Sequence, residues 1–155
     1  MKKAQRPRSL AKGAVAGLIG GIFATAAKHA VERIYPPHSR KERKKPHLLE
    51  ATGERRLTPV RKAADHPAAR WGLGAATGAA YGALAEFYPE ATAKAGASFG
   101  VTLVALTHDG ALPALGLAAH REDQTMREKS SELASHIVYG VVTETVRRVV
   151  RRMIR

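Results

Sequence analysis

Charged residues are absent from five stretches of the chain, and these stretches dominate its hydrophobic pattern. A helix on the surface of a soluble protein presents a charged or polar side chain to water at nearly every turn. Alternation with a period of two residues is missing, so the pattern predicts helices rather than strands. A helix that is apolar all round is either deeply buried or surrounded by lipid, and a chain of 155 residues can bury few of them. The uncharged stretches are residues 13–27, 71–85, 95–107, 110–119 and 133–143.

The stretches therefore predict an all-α fold, a small polytopic membrane helix bundle with four spans. The first is about 22 Å long as a helix, short of a hydrocarbon core of about 30 Å. Lys12 and Lys28 flank it and can extend it by snorkelling, although a cleaved signal peptide is an alternative. The third and fourth stretches together predict one helix of about 25 residues that is kinked near Pro113, because proline cannot donate the backbone hydrogen bond and clashes with the preceding turn.

The segments around the helices are polar, and the whole chain, residues 1–155, reads as one helical membrane domain. It has a basic arm at residues 1–12, a basic and proline-punctuated linker at residues 35–69, and a basic tail at residues 147–155. Tyr88-Pro89-Glu90 predicts a short turn between the second and third helices. Ser130 or Ser131 is expected to cap the last helix, with Glu132 in its first turn.

Glycine recurs every four residues inside the uncharged stretches. Glycine in a water-exposed helix costs about 1 kcal/mol relative to alanine, so this spacing needs a cause. In lipid the cause is close helix–helix approach along a stripe of small residues, whereas a soluble bundle packed by Ala and Gly is the alternative. The predicted packing positions are Gly13, Gly17, Gly21, Gly74, Gly78, Gly82, Gly96, Gly100 and Gly140.

Composition limits the chemistry of the protein. The absence of cysteine excludes a disulfide scaffold, a Cys-based zinc site, an iron–sulfur centre and a Cys nucleophile. A net charge of +13 indicates an anionic partner, but 5% aromatic residues are few for a surface that stacks RNA bases, so nucleic acid is an unlikely partner. An anionic lipid leaflet fits better, contacted by the basic residues of the last helix: Arg147, Arg148, Arg151 and Arg152.

The charge distribution also bears on orientation. Five basic residues in each terminal segment favour placing both termini in the cytoplasm, which requires an even number of spans. The basic linker at residues 35–69 would then face outward, against the same tendency. The side that this linker faces stays open at the level of sequence.

Ionisable residues near or inside the spans are the candidate functional residues, because they are costly in hydrocarbon unless paired or hydrated. Lys28 and Glu32 lie one turn apart and can pair, and His136, Gly140 and Glu144 share one helical face. They predict a polar seam that either relays protons or holds the helices together. The seam candidates are Lys28, Glu32, Glu86, His108, Asp109, His136 and Glu144. No catalytic motif is recognised, and neither a metal nor a cofactor is expected.

Four blocks of the chain, in order, resemble the YagU-like family of bacterial inner-membrane proteins. The first contains Lys28, Glu32 and Pro36-Pro37, and the last contains His136 and Glu144. The resemblance implies a helical protein of the inner membrane, with a suggested link to acid tolerance and no established activity. The blocks are residues 13–40, 78–89, 106–117 and 131–148.

Three functions remain open at this level. The first is an accessory or structural subunit of a membrane assembly, or a homo-oligomer, in the lipid bilayer. The second is handling of protons, ions or a small solute through the polar seam. The third is a soluble, basic, helical protein that binds nucleic acid.

Overall fold

The computed structural model describes residues 8–36, 66–106 and 125–154, and the described residues are helical with short connections. The prediction of an all-α fold is confirmed for this part of the chain. His108, Asp109 and the expected kink near Pro113 lie outside the described residues. The helices are α1 (Leu10–Ile34), α2 (Pro67–Phe87), α3 (Ala97–Val104) and α4 (Met126–Met153), and a 3-10 segment, Pro89–Gly96, precedes α3.

The helix ends follow local capping chemistry. Ser9 Oγ accepts from the backbone N–H of Lys12 at the start of α1, and Pro67 occupies the first turn of α2, inside the predicted linker. The predicted cap of the last helix is wrong, because α4 begins at Met126, before both Ser130 and Ser131. Thr125 and Glu128 form a reciprocal capping box there, which satisfies two backbone donors at once.

The connection between α2 and α3 is longer than the predicted turn at Tyr88-Pro89-Glu90. It continues as a 3-10 segment and ends in three residues with positive φ: Lys94 (51°), Ala95 (55°) and Gly96 (89°). Only glycine adopts a positive φ without a steric cost, which explains why a glycine, Gly96, directly precedes α3. The left-handed run reverses the chain and returns it along α4.

The two glycine stripes of α1 and α2 lie against each other in antiparallel register. A Cβ atom added at Gly13 would lie 2.5 Å from the carbonyl oxygen of Gly82, and one added at Gly21 would lie 3.0 Å from Cα of Gly78. At Gly17 the nearest α carbon is that of Gly82, 2.7 Å away. The backbones of the two helices are therefore in direct contact along the stripes, and at their ends the side chains of Glu86 and Thr25 also lie against the opposite helix.

Glycines also mediate the contacts of α4. On another face of α1, a Cβ atom at Gly20 would lie 2.6 Å from the carbonyl oxygen of Thr143. A Cβ atom at Gly140 would lie 2.7 Å from the backbone nitrogen of Gly100 in α3. α1 is thus packed between α2 and α4, and α3 packs on α4.

Small and polar residues make up much of the interior, and many large apolar side chains are exposed. Ala16, Ala24, Ser131 and Thr143 are fully buried, and the largest buried side chains are those of two tyrosines, Tyr81 and Tyr139, and of Glu144 and Arg147. The exposed large apolar residues of α1 include Val15, Leu18, Ile22 and Phe23. None of the described Leu, Ile or Phe residues is buried, although these residue types usually fill the core of a soluble domain.

Among the described helices, α1 alone is long and apolar enough to cross a membrane by length and composition. A buried core helix or a signal sequence meets the same criterion. α2 is rich in Gly and Ala, and the uncharged stretch of α4, residues 133–143, covers only about 16 Å as a helix. The described part of the chain therefore supports one candidate span, not the predicted four.

Candidate functional site

Within the described part of the chain, ion-paired side chains and their hydrogen-bond partners form two clusters at opposite ends of the bundle. The arginine cluster lies where α1 begins and α2 and α4 end; it comprises Tyr81, Glu86, Glu144, Arg147, Arg148 and Arg151. The lysine cluster lies where α1 ends and α2 and α4 begin; it comprises Lys28, His29, Glu32, Arg70 and Ser135. Antiparallel packing of α1 against both neighbours brings these residues together, although they are distant in sequence.

Glu144 is the centre of the arginine cluster and is 1% exposed. Tyr81 donates its hydroxyl to one carboxylate oxygen at 2.9 Å. Arg147 donates to both oxygens, from Nε at 2.7 Å and from Nη2 at 3.0 Å, and Arg148 Nε donates to the second oxygen. The buried carboxylate is thus fully supplied with donors, as a buried charge must be if it is to be tolerated.

Glu86 extends the same network to α2 and to the start of α1. Arg151 Nε and Nη2 donate to its two carboxylate oxygens at 2.7 and 3.0 Å, which is a bidentate pair. Arg147 Nη1 lies 3.8 Å from the same carboxylate, and the backbone N–H of Ser9 donates to it at 3.3 Å. The cluster therefore ties three helices together through one continuous set of charge-assisted hydrogen bonds.

The lysine cluster is organised around Glu32. Lys28 Nζ donates to Glu32 at 2.5 Å and to Ser135 Oγ at 3.1 Å, so it links α1 to α4. Arg70 Nη2 of α2 lies 3.8 Å from the same carboxylate, and His29 Nδ1 lies 3.5 Å from it. One carboxylate is surrounded by two permanent cations and a histidine.

The lateral cavity, of about 180 Å³, lies beside the lysine cluster between the helices. Its polar lining comes from Lys28, His29, Arg70 and His136, and its less polar lining includes Leu73, Thr77, Leu103 and Tyr139. Tyr139 donates its hydroxyl to the carbonyl oxygen of Gly74 at 2.6 Å and so joins α4 to α2 at the cavity wall. The cavity combines basic groups on one side with an apolar surface on the other.

A family model matches residues 22–145, which is most of the chain. Its description is "Protein of unknown function (DUF1440)". The chain belongs to the DUF1440 family. No curated protein and no solved structure matches it. The part that matches DUF1440 includes the lysine cluster, the lateral cavity and Glu144, whereas the arginines that bind Glu144 follow it.

The structure brings some of the predicted seam residues of this DUF1440 protein together and separates others. Lys28 and Glu32 form an ion pair, and Arg147 connects Glu86 with Glu144. His136 lies at the end of the bundle that holds the lysine cluster: its Nδ1 is 2.8 Å from the carbonyl oxygen of Glu132, and its side chain lines the lateral cavity together with Lys28 and Arg70. The described residues therefore form two separate clusters rather than one seam.

The four predicted lipid-contacting arginines have different surroundings. The side chains of Arg147 and Arg151 are 9% and 11% exposed, and both bind carboxylates. Arg148 binds Glu144 with its side chain 48% exposed, and Arg152 is exposed. Two of the four are thus mainly internal partners of acidic residues.

A buried ridge on α4 was missed by the sequence reasoning. Its members recur every four residues, and two of them directly precede the seam candidates His136 and Glu144: Ser131, Ser135, Tyr139, Thr143 and Arg147. Ser131 donates to the carbonyl oxygen of Tyr35 at 2.5 Å, and Thr143 donates to that of Tyr139 at 2.8 Å. The four-residue spacing of these polar residues was the signal that could have identified the ridge.

The described residues contain no group of three or more His, Cys, Asp or Glu side chains that could hold a metal ion. Glu32, Glu86 and Glu144 are each bound by Lys or Arg instead. The two clusters can fix the relative positions of the helices at the two ends of the bundle. Between these ends, the helices are packed through glycine.

Proposed function

We propose that this DUF1440 protein is an integral protein of the bacterial inner membrane, with four spans and both termini in the cytoplasm, and that it acts as an accessory or structural subunit or as a homo-oligomer. The proposal is consistent with the resemblance to the YagU-like family. In it, the lipid bilayer is the main partner of the protein.

The observation that supports membrane insertion most is the exposure of large apolar side chains around helix contacts that are made by small residues. Gly, Ala, Ser and Thr occupy the helix contacts, while Leu18, Ile22, Phe23 and Leu84 are at least 40% exposed. Water penalises exposed apolar surface by about 25 cal/mol per Å², whereas lipid does not. Close backbone packing by small residues is also the usual means of helix association in a bilayer.

A structural role is favoured by the pairing of the acidic side chains. Glu86 and Glu144 are occupied by guanidinium groups that hold three helices together, which suits a fixed connection better than a site that exchanges protons. α1 uses two of its faces for α2 and α4, so a partner helix would meet the remaining face, with Val15 and Leu18.

Extraction of isolated membranes tests insertion. The full-length protein is expected to stay in the pellet after washing with alkaline carbonate and with high salt, and to dissolve in a nonionic detergent. Release by salt alone would instead indicate a peripheral protein that binds phosphate groups, including the nucleic-acid-binding alternative.

Topology is tested with reporter fusions at residues 50 and 125 and at the C-terminus. Four spans with cytoplasmic termini place residues 50 and 125 on the outer side and the C-terminus inside. A cytoplasmic signal at residue 50 with an external signal at the C-terminus would contradict the proposed arrangement.

Proton handling is tested by replacing both predicted histidines. If the role is structural, the double variant His108→Gln/His136→Gln should behave as the unchanged protein does in two assays. Cells should survive acid equally well, and proteoliposomes should leak protons at the same rate. Loss of either property at normal membrane levels would favour the proton-handling alternative.

A further inference from the structure

The lateral cavity is lined by residues of all four helices, and its apolar wall comes mainly from α2 and α3. These two helices meet where the rings of Tyr81 and Phe99 stack with centroids 4.1 Å apart. Leu73, which is 68% exposed, and Leu103 form the apolar wall.

Among the described residues, the basic side of the cavity has more basic than acidic side chains. Lys28 and Arg70 both approach the carboxylate of Glu32. The side chain of Arg70 is 52% exposed. Two basic side chains thus face one carboxylate in this part of the structure, an excess of one cationic group that complements a monoanion.

The boundaries of the uncharged stretches give this basic side a depth in the membrane. Lys28 directly follows the stretch 13–27, and Arg70 directly precedes the stretch 71–85. Leu73 and Leu103 lie inside uncharged stretches. If the uncharged stretches lie in hydrocarbon, Lys28 and Arg70 lie at the level of the lipid headgroups, and the apolar wall formed by Leu73 and Leu103 lies at the level of the acyl chains.

We propose that the lateral cavity binds one anionic phospholipid, whose phosphate lies at Arg70 and Lys28 and whose acyl chain enters between Leu73 and Leu103. A phosphodiester carries the single negative charge that this side complements, and the guanidinium group matches phosphate geometry. Basic pockets between membrane helices are known to bind anionic headgroups. The inference depends on the proposed membrane insertion, since the depth argument needs a bilayer.

Native mass spectrometry of the full-length protein in detergent tests this inference. The probe is dioleoylphosphatidylglycerol, and the neutral control is dioleoylphosphatidylcholine, which has the same chains. We expect one bound phosphatidylglycerol at saturation and weaker binding of phosphatidylcholine. Arg70→Gln should weaken phosphatidylglycerol binding about tenfold, because it removes one charge-assisted contact. Arg33→Gln removes an exposed charge from the same end of α1 and should change binding less than about twofold.

Thr77→Phe fills the cavity and should abolish binding. If this variant unfolds at a lower detergent concentration than the unchanged protein, the comparison of Arg70→Gln with Arg33→Gln decides. Equal binding of the two phospholipids, or equal effects of the two arginine substitutions, would overturn the inference. Oleate that displaces phosphatidylglycerol at equal concentration would show that the site takes a free carboxylate, which also overturns it. Release of the protein by carbonate would overturn the proposed function instead, so the two failures are distinguishable.

Discussion

Replacing Gly78 with alanine tests the close packing of α1 against α2. The added Cβ atom would lie 2.4 Å from the carbonyl oxygen of Gly17 and 2.6 Å from Cα of Gly21, whereas ordinary contacts begin at 3.4 Å. The helices must therefore separate by about 1 Å, because the opposing atoms belong to a backbone and cannot rotate away. Overpacking of this kind costs about 1–3 kcal/mol. Gly72 provides a matched control in the same helix, since a Cβ atom added there meets nothing within 4 Å.

The two variants should differ in their free energy of unfolding. Gly72→Ala is expected to leave the free energy of unfolding unchanged or to raise it by up to about 1 kcal/mol, through helix propensity. Gly78→Ala gains the same propensity but is expected to lower the free energy of unfolding by about 1–3 kcal/mol overall. Reversible unfolding in mixed micelles of dodecyl sulfate and a mild detergent, followed by circular dichroism, measures the difference. Equal midpoints for the two variants would refute close contact between α1 and α2 at this glycine.

Three further predictions use the same unfolding assay. Glu144→Gln should lower the free energy of unfolding by about 3–5 kcal/mol, because it leaves the buried guanidinium group of Arg147 without its nearest carboxylate. Adding Arg147→Met should restore part of the loss, and a double variant no more stable than Glu144→Gln would contradict this. Tyr81→Phe keeps the ring but removes its bond to the carboxylate and should cost about 1.5–3 kcal/mol; no loss would mean that this bond contributes nothing. Thr125→Ala should cost about 1 kcal/mol, because it removes the cap of α4. Ser130→Ala should cost less, since the bonds of its hydroxyl, to Tyr35 Oη and to the carbonyl oxygen of Arg127, are exposed; the reverse order would place the cap at Ser130.

Part of this arrangement could be predicted from the sequence because glycine at a four-residue spacing allows backbones to approach. The spacing identified the positions of α1 and α2, such as Gly17 and Gly78, that the structure places against the opposite helix. The Lys28–Glu32 pair could also be predicted, because its members lie one turn apart on one helix. In both cases the signal is local.

The contacts that the sequence did not reveal are long-range. Arg151 lies 65 residues from its partner Glu86, so its basic segment looked like a lipid-contacting tail rather than an internal ligand of a carboxylate. The buried ridge of α4 was not predicted because Ser135 and Thr143 are uncharged, whereas the residues that follow them, His136 and Glu144, are ionisable. The cap at Thr125 was missed because a pair of serines near the uncharged stretch looked like the stronger signal.

The glycine stripes and the ion clusters have to be considered together, because neither defines the register of α1 and α2 alone. A repeat of four residues is nearly self-similar: sliding one helix along the other by four residues, about 6 Å, would still place glycine against glycine. That shift would move Ser9 away from Glu86, whose carboxylate it now binds, and Glu32 away from Arg70. The charged residues at the two ends therefore select one register among those that the glycines allow. A polar group retained to specify a unique arrangement accounts for these costly charges without requiring that they carry protons.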